Sequence, residues 1–503
     1  MSTEADGETA TEGAPAQPFG ANMMRDGDRP PPGMTWRDHL VNHLRVAAAV
    51  EHALMVQYLF AAYSLNPEAG EDSAERSMIV GWQNLLLAIA KEEMGHLLTV
   101  QNALCLLGAP VDLIRDHQFP EHNYTSGFKL ERLTINSILR YGWTEMPSEE
   151  IPEGVIPKNM RDLLGRVLRF LKGVRDFPKP PRGTLHVGAL YRDIIEIISD
   201  PARIPDSAFR EDSFEYQASW DDWGRGYSMK TITHETADLA TMAESMKELI
   251  DNPRRADVIV DRMASRTQAK AALNRIFEQG EAARSVFVSS HFQRFSVIYS
   301  EFDRIKREKQ KSKKTWQPTY EIVEDPHTVP SSGKPQSSLI TAHRSKKWAD
   351  LFDLRYSMLL NYLSHTFKLA RNGGDARLRG AVIHKVFAEM YNLKAIAGIL
   401  VQLPLNDDPD DKRRAGPPFS IPASLELPTE AIVRWQRHRD LIRKALDLGS
   451  GLSTDLNSAL SDSAGTRDEE IAYVRTLQGL DRETENWINQ VIAGLSPGKR
   501  PAA

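Results

Sequence analysis

The stretch LLAIAKEEMGHLLTV, residues 86–100, decides the fold: it is apolar at helical spacing, yet Glu93 and His96 fall on the same stripe as Ile89 and Val100. A bare carboxylate on such a face costs several kcal/mol to desolvate, so it requires a cation or a dense set of hydrogen bonds. Glu92 lies beside Glu93, and the pattern leaves open which acid points inward.

Working outward, the spacing predicts a helix over about Ala74–Leu107, with Trp82, Leu86 and Leu104 on the same face and Gly108 and Pro110 as stop signals. Upstream, Trp36–Leu65 carries Leu40, Leu44, Ala47, Leu54, Tyr58 and Ala61 at three- and four-residue steps, and the one polar residue on that stripe is Glu51. Asn66-Pro67 ends this helix. A Glu on one helix with Glu-x-x-His on its neighbour is half of the carboxylate metal site built inside helix bundles. The i, i+3 spacing of Glu93 and His96 lets both donors converge from one face. His52 is expected to face sideways, and Tyr58 is a candidate pocket residue.

Two later helices, Ser265–Gln279 and Ser289–Lys306, offer the other half. His291 shares a face with Phe295, Ile298, Phe302 and Ile305, so it points at the core. Glu281 continues the Leu273–Phe277 track past Gly280, while Glu278 lies with Asn274 and Arg275 and is the less certain ligand. Three residues before His291 stands Val288, so a second Glu-x-x-His is broken. Oxygen and nitrogen donors without sulfur suit iron or manganese. Iron, mononuclear or dinuclear, is the expectation, with open positions for dioxygen. The single cysteine, Cys105, excludes a thiolate cage or an intramolecular disulfide.

The remaining chain sets the boundaries. Residues 1–33 read as a disordered tail, 34–306 as the bundle with long inserted loops, 307–347 as a linker, 348–495 as a second helical block packed on the first, and 496–503 as a tail. Neither block shows convincing strand alternation, so the fold class is all-α. In the second block Glu389 and His365 sit on apolar stripes, where a satisfied buried contact is the better reading. A net charge of −5 in 503 residues gives no case for nucleic acid or an anionic membrane. The expectation is a cytoplasmic protein with no signal peptide and no run of the ~20 apolar residues that cross a bilayer. Gly373-Gly374 is no phosphate loop, because a helical pattern precedes it.

Several runs together resemble a known family: Val50-Glu51-His52-Ala53, Ala90-Lys91-Glu92-Glu93-Met94-Gly95-His96, Glu278-Gln279-Gly280-Glu281 and Ser290-His291-Phe292-Gln293-Arg294-Phe295. Gly188-Ala189-Leu190-Tyr191, Leu351-Phe352-Asp353-Leu354-Arg355-Tyr356 and Ala415-Gly416-Pro417-Pro418-Phe419 extend the likeness from about Trp36 to Trp435. The chain resembles the ferritin-like domain family named for iminophenyl-pyruvate dimer synthases, including the longer VioB/RebD-type proteins. That resemblance implies a ferritin-like four-helix bundle, a place in bacterial specialised metabolism, and metal ligands Glu51, Glu93, His96, Glu281 and His291, with Glu278 in addition. Family members often carry an acid at the position of Val288, which implies here a second metal absent or loosely held. The functional expectation is a non-haem iron oxidoreductase acting on a small amine, amino acid or derived imine with dioxygen. Imine coupling and a non-catalytic metal-binding scaffold are the alternatives, and a homo-oligomer is admitted.

Overall fold

The computed structural model describes residues 30–115, 128–146, 162–163, 165–167, 187–223, 258–281, 290–330, 335–421, 425–458 and 464–495. Helix α1 (Trp36–Ser64) starts where the Thr35 hydroxyl accepts the Asp38 amide, and α2 (Ser73–Leu106) starts where Asp72 accepts that of Glu75. The two are antiparallel. Arg37 donates to the Leu107 carbonyl at one end, and Gln83 donates to that of Ala62 at the other. By length and composition α1 alone among the described helices would span a bilayer, but 83% of its most apolar window is buried in the protein.

Helix α3 (Ile135–Thr144) opens on a Thr134/Ser137 capping box and packs on α7 (His291–Lys311), which opens on a Ser290/Gln293 box. Between them in sequence come α4 (Val187–Ser199), the single turn α5 (Trp220–Trp223) and α6 (Arg266–Glu281). Helix α4 lies against α1 and α6, and the Trp82 indole of α2 donates to Glu301 of α7 at 2.7 Å. Helices α1, α2, α6 and α7 thereby form the bundle, with α3 and α4 laid over it.

The glycine of the deciding stretch has a packing role. A Cβ on Gly95 would stand 2.5 Å from the carbonyl oxygen of Ile259, so only glycine lets that segment cross α2. Thr99 and Asn102, one and two turns on, hold the crossing strand of chain by donating to the carbonyls of Ile259 and Asp261.

Beyond α7 the chain is a packed strap. Leu65 bridges Thr319, Asp325 exchanges hydrogen bonds with the Leu130 backbone through its amide and its carboxylate, and Trp316 packs edge-on to Trp82 and Phe302. The region read as a linker therefore begins inside α7, which runs on to Lys311. The second block comprises α8 (His343–Thr366), α9 (Ala376–Leu400), α10 (Ala431–Ser458) and α11 (Ala464–Leu495). Among the described residues there are isolated bridges but no strand.

The second block covers the first, as expected from sequence. Buried Tyr356 of α8 donates to His52 Nε2 of α1 at 2.5 Å, while His52 Nδ1 donates to the Leu113 carbonyl at 2.9 Å. His52 is fully buried at this contact, turned away from the donors toward the second block. Arg115 donates to the carbonyl of Phe419, which holds a left-handed φ of 49°. Glu389 and His365 do not pair with each other: Glu389 meets Arg355, which also binds Asp481, and His365 meets His438 at 2.9 Å. Both are satisfied buried contacts of the kind expected.

Candidate metal centre

Four of the residues singled out from sequence converge at one interior point. Glu51 comes from α1, Glu93 and His96 from α2, and His291 from the first turn of α7; all are at most 2% exposed. His96 Nδ1 lies 2.9 Å from Glu93 Oε2 and 3.3 Å from Glu51 Oε2. His291 Nδ1 lies 3.0 Å from the other oxygen of Glu93, Oε1, and 3.6 Å from Oε2 of Glu145. Two groups of donors result, Glu51–Glu93–His96 and Glu93–Glu145–His291, joined through one carboxylate.

Glu145 is the acid that sequence reasoning missed. It caps α3, one turn past Tyr141 on the short Ile138–Tyr141 face, and reaches the centre because α3 packs on α7. Tyr58, read as a pocket residue, donates to Glu145 Oε1 at 2.5 Å. Tyr191 of α4 donates to Glu51 Oε1 at the same distance. The far nitrogen of each histidine is also held: His96 Nε2 donates to Gln279 Oε1 at 2.8 Å, and His291 Nε2 to Glu92 Oε2 at 3.0 Å. Arg294 completes the second chain, 2.8 Å from Glu92. The adjacent acids are thus divided: Glu93 faces the donors and Glu92 stands behind a histidine. Tyr191 and Gln279 both fall in runs that carried the family likeness, which was the available signal for them.

Glu278 and Glu281 are not among the donors that the described residues bring together. Glu278 is half-buried on α6 and belongs to neither donor group. Glu281 ends α6, its side chain lies outside the description, and Val288 lies outside the described residues. Gly280 does line the centre, where a Cβ would stand 3.4 Å from Glu145 Oε2.

The electrostatics call for a cation. Burial first, then neighbouring Glu93, raise the Glu51 carboxyl to about 7. Burial pushes His96 down, but Glu51 and Glu93 outweigh it and hold the imidazole up at about 10. His291 is likewise raised, against its burial, by Glu93 and Glu145. Burial disfavours charge on Glu93, yet His291 keeps it below the usual carboxylate range. With each Nε2 directed outward, each Nδ1 faces two carboxylate oxygens, a position that either a proton or an ion can occupy. Glu93 Oε1 and His291 Nδ1 are buried and face each other at 3.0 Å, without the alignment of a hydrogen bond. Only a proton or a metal ion resolves this arrangement.

The donor set fits a metal. Ligands bonded to one ion at about 2.1 Å and at right angles stand about 3 Å apart, close to the separations seen here. Glu51, Glu93 and His96 would hold one ion, and Glu93, Glu145 and His291 another, with hydroxyl, amide or carboxylate partners orienting the ligands. The space they leave is about 10 Å³, lined also by Leu54, Val187, Ile276 and Phe277. That is room for about one water-sized molecule.

A family model described as Ferritin-like matches residues 44–300, half of the chain. Dichlorochromopyrrolate synthase of Lentzea aerocolonigenes is 26% identical over 424 residues, covering 76% of this chain and 36% of that protein. The chain therefore spans little more than a third of that relative's length. No solved structure matches.

Proposed function

This chain belongs to the ferritin-like family, and from that premise we propose that it is a metal-dependent oxidoreductase acting on a small amine, amino acid or derived imine in specialised metabolism. The observation that carries the reading is the sharing of Glu93 between two buried donor groups. Iron is the metal that this oxygen-rich, sulfur-free set suits, with manganese next. When bound, it would supply redox chemistry with dioxygen.

The chain's own residues account for the rest. Glu51, Glu93, Glu145, His96 and His291 bind; Tyr58 and Tyr191 fix one oxygen of each outer carboxylate; Gln279 and Glu92 fix the imidazoles. Leu54, Val187, Ile276 and Phe277 give the space beside the ligands an apolar lining. The space is too small for an amino acid, so an organic substrate would meet the centre from its rim.

The likeness to a dichlorochromopyrrolate synthase favours a second reading, coupling of two amino-acid-derived imines, in which the metal is structural. One set of measurements separates the readings: metal analysis of protein purified without added metal, then oxygen uptake with amines and α-imino acids before and after chelation. The oxidoreductase reading expects iron-dependent oxygen uptake that Glu93→Ala abolishes. Coupling that survives chelation and needs no oxygen would replace it with the second reading. Iron-loaded protein that consumes no oxygen and couples nothing would leave a metal-binding scaffold.

A further inference from the structure

The two donor groups are built to a common plan with one difference. Each has one oxygen of Glu93, one histidine Nδ1, and one outer glutamate whose second oxygen accepts a tyrosine hydroxyl at 2.5 Å. They differ in what holds the far side of the imidazole. Behind His96 it is the neutral amide of Gln279, at 2.8 Å. Behind His291 it is the carboxylate of Glu92, at 3.0 Å, itself 2.8 Å from the Arg294 guanidinium. All of these groups are buried.

A carboxylate that accepts the Nε2 hydrogen pushes electron density onto Nδ1 and fixes the ring, raising its strength as a ligand; an amide does so less. The Arg294 guanidinium, 2.8 Å from Glu92, places an opposite charge against that acid in the buried site. We infer that the metal positions are unequal by construction: the one at Glu93, Glu145 and His291 is the tight, first-filled position, and the one at Glu51, Glu93 and His96 is the exchangeable one. Glu92 and Arg294 are positioning residues for the tight position. The inference rests on the metal reading above and concerns which side binds more strongly.

Titration of metal-free protein with Co²⁺ under anaerobic conditions, followed by calorimetry and the visible absorption of cobalt, tests it. The expected result is two steps, the first at least about tenfold tighter. Glu145→Ala should abolish the tight step, and Glu51→Ala the weak one. Glu92→Gln should weaken the tight step about 10- to 100-fold and leave the other within about threefold. Should Glu92→Gln fail to fold with Arg294 left buried, Glu92→Gln/Arg294→Met removes both charges together and is expected to show the same selective loss. Two equal steps in the unmodified protein would overturn the inference. So would a Glu92 variant that weakens both steps alike, or loss of the tight step in Glu51→Ala. Folded protein that binds no Co²⁺ at all would instead sink the metal reading on which the inference stands.

Discussion

The hydroxyl of Tyr58 in α1 donates to Oε1 of Glu145 at 2.5 Å, leaving Oε2 of that carboxylate turned toward His291. A helix-core tyrosine thus orients an acid delivered by a different, short helix. Replacing Tyr58 with Phe keeps the ring, which packs edge-on to Tyr141 and against Phe295, and removes only the hydrogen bond. A bond to a charged group contributes about 1.5–3 kcal/mol. Tyr58→Phe is expected to lower metal affinity at the His291 side roughly tenfold with the helical content unchanged. Calorimetric metal titration alongside circular dichroism checks both halves.

Gly280 is a position where stability and activity should part. It lies in a helix, where alanine is favoured over glycine by about 0.5–1 kcal/mol, yet its Cβ would stand 3.4 Å from Glu145 Oε2 in a space of about 10 Å³. Gly280→Ala should leave the melting temperature equal or higher while reducing iron-dependent oxygen uptake by roughly tenfold or more. Equal uptake in the two proteins would show that this space is not used.

The contact between blocks turns on Tyr356. Its hydroxyl donates to His52 and accepts from Arg115 at 3.3 Å, and its ring meets Phe419 edge-on. Tyr356→Phe leaves buried polar groups on His52 and Arg115 without this partner, a loss of about 1–3 kcal/mol. Urea denaturation should show a lower midpoint with an unchanged slope.

The second block carries an acid sensitivity of its own. His365 and His438 are buried together, stacked at 5.0 Å, with Tyr362 and Trp435 around them and Arg434 at the edge. Burial, then Arg434, lowers His365 to about 3, and burial with the charge of neighbouring groups depresses His438 as well. The unfolded chain takes up protons near the ordinary histidine value of ~6.5 while the folded chain refuses them. This stability is complete above that pH and is lost as pH falls toward 3, by up to about 1.4 kcal/mol per pH unit for each histidine. His365→Gln should flatten the fall of melting temperature between pH 6.5 and 4, whereas an unchanged slope would place the sensitivity elsewhere.

The long helices and four of the five converging ligands were legible in the sequence because each interrupts a strongly periodic apolar stripe. Glu51, Glu93, His96 and His291 are conspicuous on their own helices, and periodicity is a local property that a chain displays without folding. Tyr191 interrupts nothing, Glu145 and Gln279 fall only at the end of the short Ile138–Tyr141 and Ala272–Ile276 stripes, and the division of labour between Glu92 and Glu93 is invisible to spacing. Glu145 stands beyond a helix end, and Tyr191 meets Glu51 across 140 residues of chain. Periodicity tells which face of a helix is buried but not which other faces it will meet. That choice is made by packing, when α3 settles on α7 and α4 on α1, and only then does Glu145 close the second donor group.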